Sequence, residues 1–104
     1  MDHLLIDFEN VPWETPGPGV RTKSKQVAGK QLRLVEFTRD FVEPDWCEKG
    51  HVGYVLKGEL HIDFDGTVRH YKPGMGLIIP AGKKFRHKAK VLGDFVHLVL
   101  VEDV

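Results

Sequence analysis

Short apolar runs separated by turn residues dominate the hydrophobic pattern of this chain of 104 residues. Several runs alternate between apolar and polar positions, as in QLRLVEFT at residues 31–38 and ELHIDF at residues 59–64. Such alternation is typical of half-buried strands, and we find no convincing stretch with the i, i+3, i+4, i+7 spacing of an amphipathic helix. The pattern therefore predicts an all-β sandwich or barrel.

Turn residues divide the chain into roughly nine or ten predicted strands. Asp65-Gly66 favours a two-residue hairpin, because both central positions of such a turn take positive φ. We predict a single domain over residues 1–104, in which an N-terminal arm at 1–19 precedes a β-barrel at 20–104. The arm holds an edge strand within residues 1–10 and an irregular segment rich in proline and glycine at 12–19. The remaining strands are predicted at residues 20–27, 31–38, 52–57, 59–64, 67–71, 76–79, 84–90 and 94–101.

The composition agrees with strands and turns. The chain has 13 valines and only 3 alanines, and valine favours extended chain whereas alanine favours helix. Fifteen basic residues balance fifteen acidic ones, which argues against a protein that grips a phosphate backbone. No apolar run approaches the roughly 20 residues of a membrane span, and the acidic start lacks the basic segment of a signal peptide. A single cysteine fits a reducing compartment, so we expect a cytoplasmic protein that binds neither nucleic acid nor membrane.

Two segments, in order along the chain, resemble the two motifs of the cupin superfamily. The second is the clearer, because Gly74, Pro80 and Gly82 fit the pattern G-x5-P-x-G. In the first, His51 stands where the family has a glutamate, seven residues before the glycine of a YVL-x-G turn. The resemblance covers residues 31–101, and it implies a small single-domain cupin with the double-stranded β-helix, or jelly-roll barrel, of that superfamily.

The resemblance also implies a divalent metal inside the barrel. Family cupins commonly bind one through two histidines of an H-x-H pattern, the glutamate, and a histidine three residues after the P-x-G glycine. In this chain those four positions are occupied by Asp45, Cys47, His51 and Phe85. The usual ligand set is therefore absent, which argues against chemistry of the iron-dioxygenase type.

At and near the ligand positions that the resemblance marks, Asp45, Cys47, His51 and His87 are all capable ligands, and we predict an atypical metal site made of these four residues. On an extended strand, Asp45 and Cys47 face the same way because they are two residues apart. His87 lies two residues beyond Phe85 and shares its face by the same argument. Thiolate and imidazole ligands suit zinc or iron(II), with manganese as a further candidate. Three protein ligands plus water is the arrangement of a catalytic zinc site.

Other interpretations of the same residues stay open. Cys47 can be a small buried hydrophobe, and His51 a core histidine bonded to a neighbour. A thiolate beside an imidazole is also the arrangement of an activated nucleophile, although no oxyanion hole can be identified. A redox-sensing thiol is the remaining interpretation, but the chain offers no second cysteine to resolve it.

A ligand pocket beside the metal is predicted from five further side chains. Arg33, if it points inward, can pair with a carboxylate through two parallel hydrogen bonds. His97 lines the cavity as a general base or a further polar group if its strand turns that face inward. Tyr54, Phe85 and Trp46 complete the predicted pocket, with Trp46 near the mouth of the barrel.

Two functions follow as hypotheses. The first is a cupin that binds a small molecule, such as an organic acid, a sugar derivative or an amine, through the metal. The second is a non-catalytic cupin that senses a ligand, or serves as a regulatory or structural partner, without a metal. In either case the exposed apolar groups of the arm predict a homodimer. Those groups are Leu4, Ile6, Phe8, Val11 and Trp13.

Overall fold

The computed structural model describes residues 1–104 and contains seven β-strands and three short 3-10 turns. All strand pairings are antiparallel, which confirms the all-β prediction. None of the helical segments has the length or the apolar character to cross a bilayer. The strands are β1 (Glu14–Gly17), β2 (Val20–Val27), β3 (Lys30–Thr38), β4 (His51–Asp63), β5 (Val68–Tyr71), β6 (Gly76–Ile79) and β7 (Lys88–Asp103). The 3-10 turns lie at Asp2–Leu4, Phe8–Asn10 and Lys83–Phe85.

The two longest strands, β4 and β7, form the centre of the sheet. Hydrogen bonding runs in the order β1-β2-β3-β7-β4-β5. The first half of β4 pairs with β6 and its second half with β5, so that β4 has β7 along one edge and two short strands along the other. Side chains from both halves meet in one core. The sheet therefore wraps around this core as the jelly-roll barrel that the sequence predicts.

A glycine bends the central pair of strands. Gly58 lies in β4 with φ +75°, and a Cβ there would stand 2.0 Å from the carbonyl oxygen of Phe95 on β7. The register between the two strands shifts between Val55 and Lys57 and again between Lys57 and Glu59, the interval that contains this glycine. The buried positions of β4 accordingly change from odd to even numbers, with Val55 before the shift and Leu60 and Ile62 after it.

Two predicted strand ends are in fact bends inside continuous strands. The strands predicted on either side of Gly58 are the single strand β4. The last two predicted strands likewise belong to β7, which passes through Gly93 at φ +83° without ending. Residues 84–87 lie outside β7, in a 3-10 turn and the residues that follow it. Glycine at these two places marks an irregularity within a strand and not a turn between strands.

The core consists of buried aliphatic side chains from β3, β4, β6 and β7. Val55 and Val96 are fully enclosed, and Val35 and Leu60 are 1% exposed. Burial of each such side chain contributes roughly 1.5–3 kcal/mol. Several leucines and isoleucines of this core also form the wall of an internal cavity. The core side chains therefore form an apolar surface inside the cavity, next to the polar groups that also line it.

The N-terminal arm contains no strand within residues 1–10, so the predicted edge strand is wrong. This segment pairs with no strand edge and forms two 3-10 turns instead, leaving Leu4 56% and Leu5 73% exposed. The segment expected to be irregular supplies β1, which pairs with β2. Lys23 fastens the arm to β2, because its Nζ donates a hydrogen bond of 2.6 Å to the carbonyl oxygen of Phe8.

Glu36 holds an ionic cluster on the outer face of the barrel. Arg21 donates to both of its carboxylate oxygens, at 2.7 and 3.1 Å, and His97 Nε2 lies 2.7 Å from Oε2. The hydrogen bonds from Arg21 lower the pKa of Glu36, and burial opposes them only in part.

We expect this cluster to stabilise the protein above the ordinary carboxyl pKa of about 4.3. A carboxyl group with a lower pKa in the folded state binds fewer protons there than in the unfolded chain, so its contribution is lost as the pH falls through the folded value. Glu36→Gln is therefore expected to be less stable than the wild type at neutral pH, with a difference that shrinks in acid. Urea unfolding of both proteins across this range tests the expectation, and a difference independent of pH would contradict it.

Candidate metal centre

Three side chains with metal-binding atoms converge inside the barrel. They are Cys47, His51 and His87, and one ligand atom from each lies within 4.8 Å of the others. Cys47 belongs to the loop before β4, His51 begins β4, and His87 immediately precedes β7. His87 is 4% exposed. The pairing of β4 with β7 places His51 and His87 at opposite ends of the two strands. The wrapping of the sheet around the core and the Cys47–His87 bridge bring the three positions together.

Backbone contacts fix the loop that carries Cys47. The backbone N–H groups of Cys47 and His87 each donate to the carbonyl oxygen of the other, at 2.9 and 3.0 Å. The N–H of Gly82 donates to the carbonyl oxygen of Glu48 at 2.9 Å. Gly50 permits this approach, since a Cβ there would lie 2.9 Å from the backbone nitrogen of Ala81. The loop is thus fastened both to the start of β7 and to the turn after β6.

In each histidine of the cluster, Nδ1 hydrogen-bonds to an oxygen atom outside the cluster. His51 Nδ1 lies 3.2 Å from Oε2 of Glu102, and His87 Nδ1 lies 3.1 Å from the carbonyl oxygen of Phe85. A carbonyl oxygen, like an ionised carboxylate, accepts only, so each Nδ1 carries the proton. The Nε2 of His51 then faces the Cys47 thiol, and the Nε2 of His87 bonds to no protein group. Such outer hydrogen bonds orient histidines that bind metals.

Electrostatics favour the neutral form of His51 and the ionised form of Glu102. Burial lowers the pKa of His51; the attraction of Glu102 opposes that change, while His87 and Arg33 add to it. Burial alone would raise the pKa of Glu102, but hydrogen bonds from Gln31 and Arg33 outweigh it and leave that pKa lowered. The result is a neutral imidazole whose Nδ1–H faces an ionised carboxylate.

The donor types suit a divalent metal of the zinc type, and one pair of donor atoms has the spacing of a tetrahedral site. Cys47 Sγ and His51 Nε2 are 3.7 Å apart. Tetrahedral zinc, with bonds of about 2.3 Å to sulfur and 2.0–2.1 Å to nitrogen, holds such atoms about 3.6 Å apart. The rings of His51 and His87 meet edge to face with centroids 5.4 Å apart. Thiolate and imidazole are the ligands that zinc prefers, whereas manganese prefers oxygen.

A cavity of about 230 Å³ adjoins the three ligands. Its walls are mostly apolar and include Leu60, Ile62, Leu98 and Leu100. Arg33 also lines it, as the sequence predicts. The cavity therefore combines an apolar wall with a few polar groups, which is the usual make-up of a small-molecule site.

Asp45, the predicted carboxylate ligand, lies outside the cluster. It is exposed and is absent from the walls of the cavity. The prediction assumed an extended strand, but the chain around Asp45 is irregular, and only Cys47 forms a bridge there. Positions two residues apart therefore do not share a face at this point.

Four of the five predicted pocket residues also lie away from the cavity. Tyr54 is 48% exposed and shares the outer face of β4 with Val52, because the inward positions of this half of β4 are odd-numbered. His97 points outward to Glu36, since Val96 and Leu98 take the inward positions on β7.

Phe85 and Trp46 occupy the surface around the site. Phe85 sits in the 3-10 turn and is 37% exposed, but its carbonyl oxygen accepts the hydrogen bond from His87. Trp46 packs beneath two cations, with Arg86 5.6 Å and Lys88 4.8 Å from its ring centroid. Neither aromatic ring lines the cavity.

Glu102 contacts the candidate site, and no motif in the sequence marks it. It lies near the end of β7, where Leu98, Leu100 and Glu102 alternate on one face. Glu102 follows the buried Leu98 and Leu100 at the same two-residue spacing, which predicts that its side chain also faces inward. Because an inward carboxylate needs a polar partner, this spacing is the signal in the sequence. Phe41 and Glu43, in the loop after β3, also line the cavity. No pattern in the sequence of this loop predicts that they do.

Comparison with known proteins agrees with the fold and the motifs. A family model described as a cupin domain matches residues 43–101, more than half of the chain. A search of curated proteins finds no match.

Solved structures with similar folds cover most of the chain. KdgF from Halomonas sp. has a TM-score of 0.74 at 23% identity, over 89% of this chain and 87% of that one. The polyketide cyclase RemF from Streptomyces resistomycificus has a TM-score of 0.76 at 19% identity, over 93% and 76%. An RmlC-like cupin from Shewanella frigidimarina has a TM-score of 0.72 at 18% identity, over 93% and 86%. These likenesses show the fold alone, and together with the family match they establish that this chain belongs to the cupin family.

Proposed function

We propose that this cupin binds zinc through Cys47 Sγ and the Nε2 atoms of His51 and His87, and holds a small molecule in the adjoining cavity. The observation that carries the proposal is the orientation of the two histidines. Both direct Nδ1 to an oxygen acceptor, which leaves Nε2 for the shared centre. His51 Nε2 faces only Cys47 Sγ, at 3.7 Å, and His87 Nε2 bonds to no protein group.

Three protein ligands leave one position of a tetrahedral zinc for water or a ligand. All three side chains line the same cavity, so a molecule bound there reaches that position. Zinc bound at such a site supplies a Lewis acid that polarises an oxygen of its ligand. The chain itself orients His51 through Glu102, fixes Cys47 through its bridge to His87, and limits access of water with aliphatic walls.

Metal content tests the proposal directly. Protein purified without chelator or nickel affinity resin is expected to contain about one zinc per chain by plasma mass spectrometry. Cobalt(II) exchanged into the site is expected to give a thiolate-to-metal charge-transfer band in the near ultraviolet. Cys47→Ser is expected to lose that band and most of the zinc. His70→Asn is the matched control, since His70 is a surface histidine paired with Glu59.

An absence of bound metal after incubation with zinc, iron(II) and manganese(II) would overturn the proposal. It would favour the non-catalytic alternative, in which the cavity binds a ligand without a metal. Retention of the cobalt band in Cys47→Ser would show that the thiol is not a ligand.

The proposal also predicts a specific role for Glu102. Glu102→Gln removes the charge and keeps the shape of the side chain. The hydrogen bond that His51 Nδ1 donates to position 102 is then no longer assisted by a negative charge, and it is weaker. Loss of such an outer partner typically lowers metal affinity 10- to 100-fold. Competition with a chromophoric zinc chelator measures this change, and circular dichroism checks the fold. An unchanged zinc affinity in a folded variant would contradict the role.

A further inference from the structure

The guanidinium of Arg33 is only partly used by the protein. Its Nη2 donates to Glu102 Oε2 at 2.8 Å. Its Nε is buried and has no hydrogen-bond partner, and its Nη1 donates to no protein group. Arginine offers five N–H donors in a fixed plane that matches a carboxylate. Because Nε is enclosed, the donors that Arg33 keeps for a ligand are those of Nη1 and the second N–H of Nη2.

Arg33 stands where two cavities meet. The internal cavity adjoins an outer groove of about 910 Å³, and both are lined by Arg33, Lys49, His51 and Ile79. Lys49 is exposed and forms no ion pair. Arg33 and Lys49 thus lie between the groove and the proposed metal ligands. Arg33 pairs with Glu102, whereas Lys49 has no carboxylate partner.

The charges that line the internal cavity favour an anion near Arg33 and Lys49. The lining contains these two cations and the carboxylate of Glu43. The metal of the proposed function would add two positive charges against the one negative charge of the Cys47 thiolate. The other nearby carboxylates, Glu48, Glu102 and Asp103, line the outer groove, and Glu102 pairs with Arg33. A ligand carboxylate in the internal cavity therefore meets more positive than negative charge.

The rest of the cavity determines the remainder of the ligand. Its volume of about 230 Å³ corresponds to roughly seven or eight waters at about 30 Å³ each. Its apolar walls include Leu60, Ile62, Leu98 and Leu100, and Leu100 lies opposite Arg33 in the pairing of β3 with β7. The ligand is therefore small, and its end away from the charge is apolar.

We propose that Arg33, assisted by Lys49, binds the carboxylate of a small monocarboxylic acid whose apolar chain occupies the aliphatic part of the cavity beside the metal site. This inference rests on the proposed function for the position of the ligand next to zinc. The contact with Arg33 itself does not depend on the metal. Arg33 is a binding residue in this account, and its donors fix the orientation of the acid.

Binding of butanoate tests the inference, with butanamide as its uncharged counterpart and inorganic phosphate as the alternative anion. Titration calorimetry is performed on zinc-loaded and on chelator-treated protein. We expect butanoate to bind the wild type at least tenfold more tightly than either comparison compound. Arg33→Gln is expected to weaken butanoate roughly tenfold or more, since a charge-assisted contact is lost. Lys49→Gln is expected to weaken it severalfold, and Lys83→Gln, an exposed lysine away from both cavities, serves as the control.

The zinc content of each variant separates this inference from the proposed function. Arg33→Gln that keeps zinc and loses butanoate supports both. Butanoate binding that depends on Arg33 in protein without any zinc affinity supports the acid site and rejects the metal site. Equal binding of butanoate and butanamide, no measurable butanoate binding at millimolar concentration, or an Arg33→Gln variant that binds normally would overturn the inference. If Arg33→Gln fails to fold, the comparison of Lys49→Gln with Lys83→Gln decides.

Discussion

Replacing His87 by asparagine is expected to abolish stabilisation of the protein by zinc. A ligand that binds only the folded state at a thousandfold excess over its Kd stabilises that state by about 4 kcal/mol. For a domain of this size such a change raises the melting midpoint by more than roughly 10 °C. The variant retains Cys47 and His51 but lacks the third ligand, so we expect its melting midpoint to be nearly independent of zinc.

Thermal unfolding with added zinc and with added chelator measures this difference. The control is His70→Asn, which removes an exposed imidazole outside the cluster and is expected to respond to zinc as the wild type does. An equal zinc response in His87→Asn and the wild type would remove His87 from the site. His87 is buried, so the chelator-treated variant also shows how much stability the ring contributes by packing alone.

Gly58→Ala is expected to produce the largest loss of stability from a single methyl group. The added Cβ would stand 2.0 Å from the carbonyl oxygen of Phe95. Neither residue can move away easily, because the pairing of β4 with β7 holds both backbones in place. The positive φ adds a cost of roughly 1–2 kcal/mol for any side chain. We therefore expect a total loss of about 3–5 kcal/mol, in the range that marks a severe defect.

Gly66→Ala provides a matched comparison for this prediction. Gly66 also has positive φ, at +109°, but a Cβ there would meet nothing within 4 Å. We expect it to lose only the conformational part of the cost. Urea unfolding of the two variants isolates the effect of the close approach, and equal losses would show that the contact with β7 is not what requires glycine at position 58.

The fold was accessible from the sequence because its signals are local and repeated. Valine-rich runs, the Asp65-Gly66 hairpin and the spacing of Gly74, Pro80 and Gly82 each report on backbone conformation nearby. The lengths of the two central strands were not accessible in the same way. Gly58 reads as a turn from its neighbours alone, whereas its role depends on the backbone of the opposite strand.

The candidate site was predictable in part for the same reason. Cys47, His51 and His87 were identified by type and by motif position, and the structure brings them together. The errors at Tyr54 and His97 came from assuming which face of each strand is inward, a choice that the irregular register near Gly58 determines. Asp45 was misplaced because its segment is not a strand.

Glu102 shows the limit of reading one segment at a time. It bonds to Gln31 and Arg33 of β3 and to His51 of β4, three residues that are remote from it in the chain. Only the pairing of β7 with both of those strands places the four groups together. Its contribution to the site is therefore a property of the sheet and not of its local sequence.

X-ray absorption at the zinc edge tests the central claim most directly, because it reports the atoms bound to the metal. We expect one sulfur at about 2.3 Å and two or three nitrogen or oxygen atoms at about 2.0–2.1 Å. The sulfur contribution is expected to disappear in Cys47→Ser. A zinc bound only by oxygen and nitrogen in the wild type would contradict a centre formed by Cys47, His51 and His87.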